Sequence, residues 1–181
     1  MSDLDRRYWP LLLLLALGCS RGPAAPILSD SHVYQSANEG LRFLVPDGWH
    51  QSASSVLPPG ELRGDVLLVR YNLTSDAPGS ALLVLCTDEK KAGDPEAHHA
   101  EASFRADHWE PLEPAKTVTV HGVPAERIIY EAVMDGKELR KFVTCFRRKG
   151  RLYSFVGLFA ADDASARQQI ERASDDVIWT P

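Results

Sequence analysis

The stretch from Lys116 to Ala160 constrains this chain more than any other. Lys116-Thr-Val-Thr-Val120 alternates and is rich in β-branched residues, which suit a pleated, half-buried surface. Three glycine turns then follow at close intervals: His121-Gly122, Asp135-Gly136 and Lys149-Gly150. A residue followed by Gly at a two-residue connection permits the positive φ that tight hairpins need. The spacing predicts strands over 125–133, 138–147 and 152–160. Connections this short join antiparallel neighbours, so the stretch reads as a meander. Phe142, Thr144 and Phe146 share one face. Tyr153, Phe155 and Phe159 share a face of the last strand, and Leu152, Val156 and Leu158 share the other. Apolar residues on both faces imply a cover on each side.

Before this framework, Leu41-Arg-Phe-Leu-Val45 reads as a strand stopped by Pro46-Asp47-Gly48, with Trp49 as an anchor at the core edge. Residues 51–65 read as a loop, with Val56 and Leu57 pinned down. Strands follow over 66–72 and 80–87, the second almost continuously apolar and therefore central. Asp94 is a good N-cap and Pro95 a good first helical residue, so 94–109 reads as a helix with a thin apolar face. A second helix is expected over 163–176, where Ala166, Ile170, Ala173 and Val177 lie at helical spacing. The fold class is α+β: an antiparallel sheet of about six to seven strands with two helices packed on it.

The N-terminus carries a targeting pattern. Arg6 and Arg7 precede an apolar run from Leu11 to Leu17, and Gly18-Cys19 ends it. The run is too short to span a bilayer comfortably and has the form of an export signal. Leu15-Ala-Leu-Gly-Cys19 resembles a bacterial lipobox, with Ala16 where Leu is commonest. The resemblance implies a diacylglycerol on the Cys19 sulfur, cleavage before Cys19 and acylation of the new amine. More than one acyl chain gives stable anchoring. An ordinary secretory signal with a chance Cys, and a twin-arginine route, are the alternatives. Residues 1–18 are thus read as signal peptide and 19–38, rich in Pro, Ala, Ser and Gly, as the lipidated Cys and a flexible tether. Residues 39–181 form one domain. Ser20 after the Cys favours the outer membrane in an organism that has one.

The net charge of −5 gives no electrostatic footprint for nucleic acid. No Gly-x-Ser-x-Gly, phosphate loop, His-Glu-x-x-His or Cys-x-x-Cys is present, and no cofactor motif. Cys86 and Cys145 fall in strands, and a disulfide between them requires neighbouring strands with Cα atoms within about 7 Å. The competing reading is two separate buried thiols. His98, His99 and His108 crowd one segment with Glu96, Glu101 and Asp107, and read as a solvated helix face rather than a metal site. Arg140, Lys141, Arg147, Arg148, Lys149 and Arg151 form a basic cluster around one hairpin. It is a candidate surface for anionic lipid or an acidic partner, against the plainer reading of a solvated turn.

The order of elements, with Phe43 to Trp49, Val118 to Ala125, Arg151 to Phe159 and a closing helix ending near Ile178-Trp179, resembles the PsbP-like superfamily, including its DcrB-like bacterial lipoproteins. The resemblance implies an antiparallel sheet with helices on its faces. It also implies a non-catalytic binding or assembly role, with no shared active site. The expectation is an exported, lipid-anchored domain of the bacterial envelope that binds a partner protein. The alternatives are an envelope hydrolase with a site assembled from dispersed residues, or a carrier of a small ligand or metal.

Overall fold

In a computed structural model of the protein, residues 31–55, 64–73 and 79–180 are described. Cys19, the signal pattern, Val56 and Leu57 lie outside them.

The strands are β1 (Val33–Ser36), β2 (Leu41–Leu44), β3 (Trp49–Ser54), β4 (Val66–Leu73), β5 (Ala81–Asp88), β6 (Glu110–Pro111), β7 (Lys116–Val120), β8 (Val123–Met134), β9 (Lys137–Arg148), β10 (Arg151–Ala160) and β11 (Ile178–Trp179). The helices are α1 (Glu89–Ala92), α2 (Pro95–Ala100) and α3 (Ala164–Asp175). An eight-stranded antiparallel sheet runs β3-β4-β5-β10-β9-β8-β6, with β7 also paired to β8. A separate three-stranded sheet runs β1-β2-β11.

The meander forms as its turns dictate. His121, Asp135 and Lys149 have φ of 47°, 52° and 51°, and the glycines after them 80°, 73° and 74°. Two successive positive φ values make the primed turn whose twist matches the flanking strands. The long β8, β9 and β10 pair in continuous register, Ala125 with Phe146 to Met134 with Lys137, and Arg151 with Arg148 to Ala160 with Leu139. The apolar β5 lies in the sheet interior between β4 and β10.

Each face of the large sheet carries its own core. On the first face Phe43, Trp49, Tyr71, Phe142, Phe146 and Phe155 pack with α3 residues Ala166, Ile170 and Ala173. The small sheet and α3 cover it. On the second face Trp109, Ile128, Tyr130, Val143, Leu152 and Val156 pack under α1, α2 and the loop after them.

The architecture departs from expectation in several places. The strand at 41–44 belongs to the small sheet rather than to the large one. Val33–Ser36, inside the segment read as tether, pairs with it as β1. Trp49–Ser54 is a strand although its sequence holds no β-branched residue. Burial of Trp49 and pairing with β4 through a bulge at Gln51/Ala53 override propensity there. The two-residue β6 and β11 are too short to leave a periodic signal.

The largest difference is the helix expected over 94–109, which ends at Ala100. Asp94 caps it as expected, accepting from the Ala97 amide at 3.2 Å. The Trp109 amide donates to the Ala100 carbonyl at 3.0 Å, and Glu101 is extended. The chain therefore folds back so that Trp109 is fully buried.

Candidate functional site

The second face holds an unusual concentration of buried polar groups for an otherwise apolar sheet: Thr87, His99, Lys141 and Ser154 are each at most 6% exposed. All four lie beneath or beside α2. A helix leaves its last carbonyls without intrahelical partners, and α2 meets this need from the sheet below. Lys141 Nζ donates to the His99 carbonyl, and also to Ser103 Oγ at 3.2 Å. The Tyr130 hydroxyl donates to the Glu96 carbonyl at 2.8 Å. A cation at a helix C-terminus is also favoured by the helix dipole.

Three aromatic rings complete the surroundings of the Lys141 amine. It lies 4.4 Å from the Trp109 ring centre, 5.0 Å from Tyr130 and 5.9 Å from Phe104. Ring faces attract a cation, but burial opposes the charge more strongly. No ion pair among the described residues includes Lys141, and burial pushes its pKa down to about 7.

The neighbouring histidines differ in their surroundings. His99 Nε2 sits 2.9 Å from Ser154 Oγ, which lies 3.5 Å from Cys145 Sγ. Burial, then His98 and Lys141, push the His99 imidazole down to about 3, so it is neutral. His98 Nε2 is 3.0 Å from Asp65 Oδ1. The bond to Asp65 raises the His98 pKa against burial. Burial pushes the Asp65 carboxyl up, but hydrogen bonds from His98 and Thr87 outweigh it and hold the carboxyl below its usual value. The expectation of a solvated helix face at His98, His99 and His108 is corrected here. Only His108 is well exposed, beside Glu110 at 3.3 Å, and it lies past the end of α2.

A serine beside a neutral imidazole is the arrangement from which a nucleophile is built. Here the pair is sealed under α2. Three depressions of the described surface, each of about 290–310 Å³, are lined by other residues. One lies between Leu112, Ile129, Phe159, Arg140 and Arg167, one beside Asp47 and Asp176, one beside Tyr34 and Leu68.

The fold of the chain compares with solved structures as follows. Cyanobacterial PsbP (CyanoP) from Synechocystis sp. PCC 6803 matches with a TM-score of 0.59 at 15% identity, over 89% of this chain and 96% of that one. The fold is PsbP-like. LpqN of Mycobacterium tuberculosis, described as involved in cell envelope biogenesis, matches with a TM-score of 0.56 at 13% identity, over 84% and 94%. PA94 from Pseudomonas aeruginosa, described as a putative regulator of unknown function, matches at 0.52 and 12%, over 73% and 99%. No family model and no curated protein matches the chain. The antiparallel sheet with helices on its faces, expected from the sequence resemblance, is thus the observed PsbP-like fold.

On that PsbP-like fold the basic cluster does not form one surface. Lys141 is fully buried. Arg140 and Arg147 stand seven residues apart along β9, roughly 23 Å at strand rise. Arg140 pairs with Glu131 at 2.8 Å and Arg147 with Glu89 at 3.5 Å and Glu126 at 3.7 Å. Arg148 lies over the Trp179 ring at 5.1 Å, and Arg151 binds the buried Glu39 at 2.8 Å. Lys149 is an exposed turn residue. These charges chiefly join elements of the fold, and sequence proximity concealed that they face different partners.

Cys86 and Cys145 are free. The disulfide considered from sequence is not formed, because β10 lies between β5 and β9. Two strand spacings separate the two backbones by roughly 9.5 Å, beyond bridging distance. The thiols also belong to opposite cores. Burial pushes Cys86 up to about 11 and Cys145 to about 12, so both are inert thiols. Sequence reading missed the role of Lys141, Tyr130 and Ser154 at α2. Alternating polar residues at the centre of otherwise apolar strands were the signal.

Proposed function

We propose that this chain is an envelope-associated, non-catalytic binding or assembly domain, held to a membrane by lipid on Cys19. The observation that carries the reading is the PsbP-like fold, shared over most of the chain with CyanoP and with an envelope-biogenesis protein. The lipobox-like Leu15 to Cys19 supplies the anchor. Two observations support contact rather than bond-breaking as its mode of action. The Ser154–His99 pair is 3% and 6% exposed, and neither residue lines any of the three depressions described above. The polar groups around it are taken up in holding α2 to the sheet.

Affinity purification from detergent-solubilised envelopes of the native host tests the reading. A partner recovered in stoichiometric amount, and lost when the domain is replaced by an unrelated fold on the same anchor, is the expected result. Repeated recovery of the domain alone would overturn it.

A further inference from the structure

The two faces of the large sheet are covered very unequally. The first carries a twelve-residue helix and a three-stranded sheet. The second carries helices of four and six residues and a loop. A helix of six residues has no stability of its own, so α2 is held only by what it touches. Its polar fastenings come from the sheet, Tyr130 to the Glu96 carbonyl, Lys141 to the His99 carbonyl and Ser103, and Ser154 to His99, and from Asp65 just before β4 to His98.

The covering segment also has places to bend. Gly93, just before α2, has φ of 62° and nothing within 4 Å of where a Cβ would stand. Beyond α2, Ser103 and Ala106 exchange two backbone hydrogen bonds of 3.0 Å around Phe104 and Arg105, whose φ are 54° and 69°. Left-handed backbone at two successive non-glycine residues is unfavourable and persists only where surrounding contacts enforce it. Phe104 is enforced from below, where its ring meets the Lys141 amine.

We infer that Asp94–Trp109 is a clasp that opens and closes as one piece over the second face of the sheet, with the protonation of the buried Lys141 amine setting the balance. Opening uncovers the apolar strip of Ile128, Val143 and Val156. The clasp depends on the chain's own contacts and stands whether or not the domain has a protein partner.

The titratable groups around the amine are His98 and His99 on the clasp, Tyr130 on β8, Cys145 on β9 and Asp65 before β4. His99 is neutral above about 3, Cys145 is protonated to about 12, the Tyr130 hydroxyl is raised above its ordinary value of 10.0, and Asp65 is ionised well below neutrality. His98 is raised above 6.5 by its bond to Asp65. It fastens the clasp at low pH and releases it as pH rises, opposite in sign to Lys141. In the open clasp the amine is solvated with its ordinary value of 10.5, and in the closed clasp burial pushes it to about 7. As pH falls from 10.5 towards 7, the open form takes up a proton that the closed form does not. The open-to-closed ratio then rises by up to about tenfold per pH unit. Below 7 both forms are protonated and this dependence stops.

Hydrogen exchange on the whole chain, followed between pH 6 and 9.5 and corrected for intrinsic rates, tests the inference. The protection factors of 94–109 are expected to rise with pH above 7 while staying well below those of β9 and β10, which exchange only when the whole fold opens. His98→Gln should keep this slope, and Lys141→Met should flatten it. Tyr130→Phe, which removes one fastening and leaves the amine, should lower protection of the segment about tenfold at every pH with the slope kept. A level profile in the wild type, a slope that survives in Lys141→Met, or loss of protection in Tyr130→Phe shared equally by the sheet would each overturn it.

Discussion

Ile170 of α3 rests directly on the bare Cα of Gly157 in β10: a Cβ at 157 would lie 2.2 Å from Ile170 Cγ2. The glycine lets the helix approach the sheet at its centre, where Ile170 is fully buried. Gly157→Ala forces the helix outward in a packed core and should lower unfolding free energy by about 1–3 kcal/mol. Urea unfolding followed by circular dichroism measures it. Unchanged stability would mean that α3 is not seated as described.

The Glu39–Arg151 pair ties the small sheet to the large one. Glu39 is 4% exposed at its side chain and also accepts from the Tyr153 hydroxyl at 2.7 Å. Arg151→Met leaves that carboxylate buried with its charge uncompensated, a loss of about 3 kcal/mol. The unfolding midpoint should fall accordingly, and far more than for Lys149→Met on the exposed turn.

His99 makes the fold sensitive to acid. Its folded-state pKa of about 3 lies below the 6.5 of the unfolded chain, so the contribution is complete above 6.5. It is lost as pH falls from 6.5 towards 3, where the unfolded chain binds a proton that the fold refuses. The slope is at most about 1.4 kcal/mol per pH unit. His99→Gln should flatten the decline of the urea midpoint across that window. Asp65, whose pKa is lowered, contributes above 3.8 and loses that contribution as pH falls further, so Asp65→Asn should flatten the lower end and also remove the His98 dependence that the Asp65 bond creates above 6.5.

The two core thiols should be silent in the native state. In a Cys19→Ala chain, a thiol reagent such as dithionitrobenzoate should label neither Cys86 nor Cys145 until the protein unfolds, and then label both. Rapid labelling of one thiol without denaturant would place it at the surface, contrary to its burial.

Much of this fold is legible in the sequence, and the illegible parts share a cause. The three residue-Gly turns encode the meander because few backbones other than a tight hairpin use two successive positive φ values. Ala166, Ile170 and Ala173 encode α3 by period, and all three are buried. The sequence is silent where non-local contacts decide. Nothing local ends α2 at Ala100; the Lys141 amine, forty-one residues away in the chain, reaches its carbonyl end. Arg140 to Arg151 read as one basic surface because charge counts in sequence ignore that neighbours on a strand face opposite sides. Ser154 and His99 meet only once β10 and α2 are stacked, so no spacing rule finds them.

Fractionation of the native host expressing the wild type beside Cys19→Ala tests most directly that this is an anchored envelope domain. The wild type is expected to sediment with membranes, to resist salt and to be released by detergent. Cys19→Ala should not stay in the detergent-extracted membrane fraction while keeping its circular dichroism spectrum. Recovery of both forms as soluble cytoplasmic protein would contradict the account.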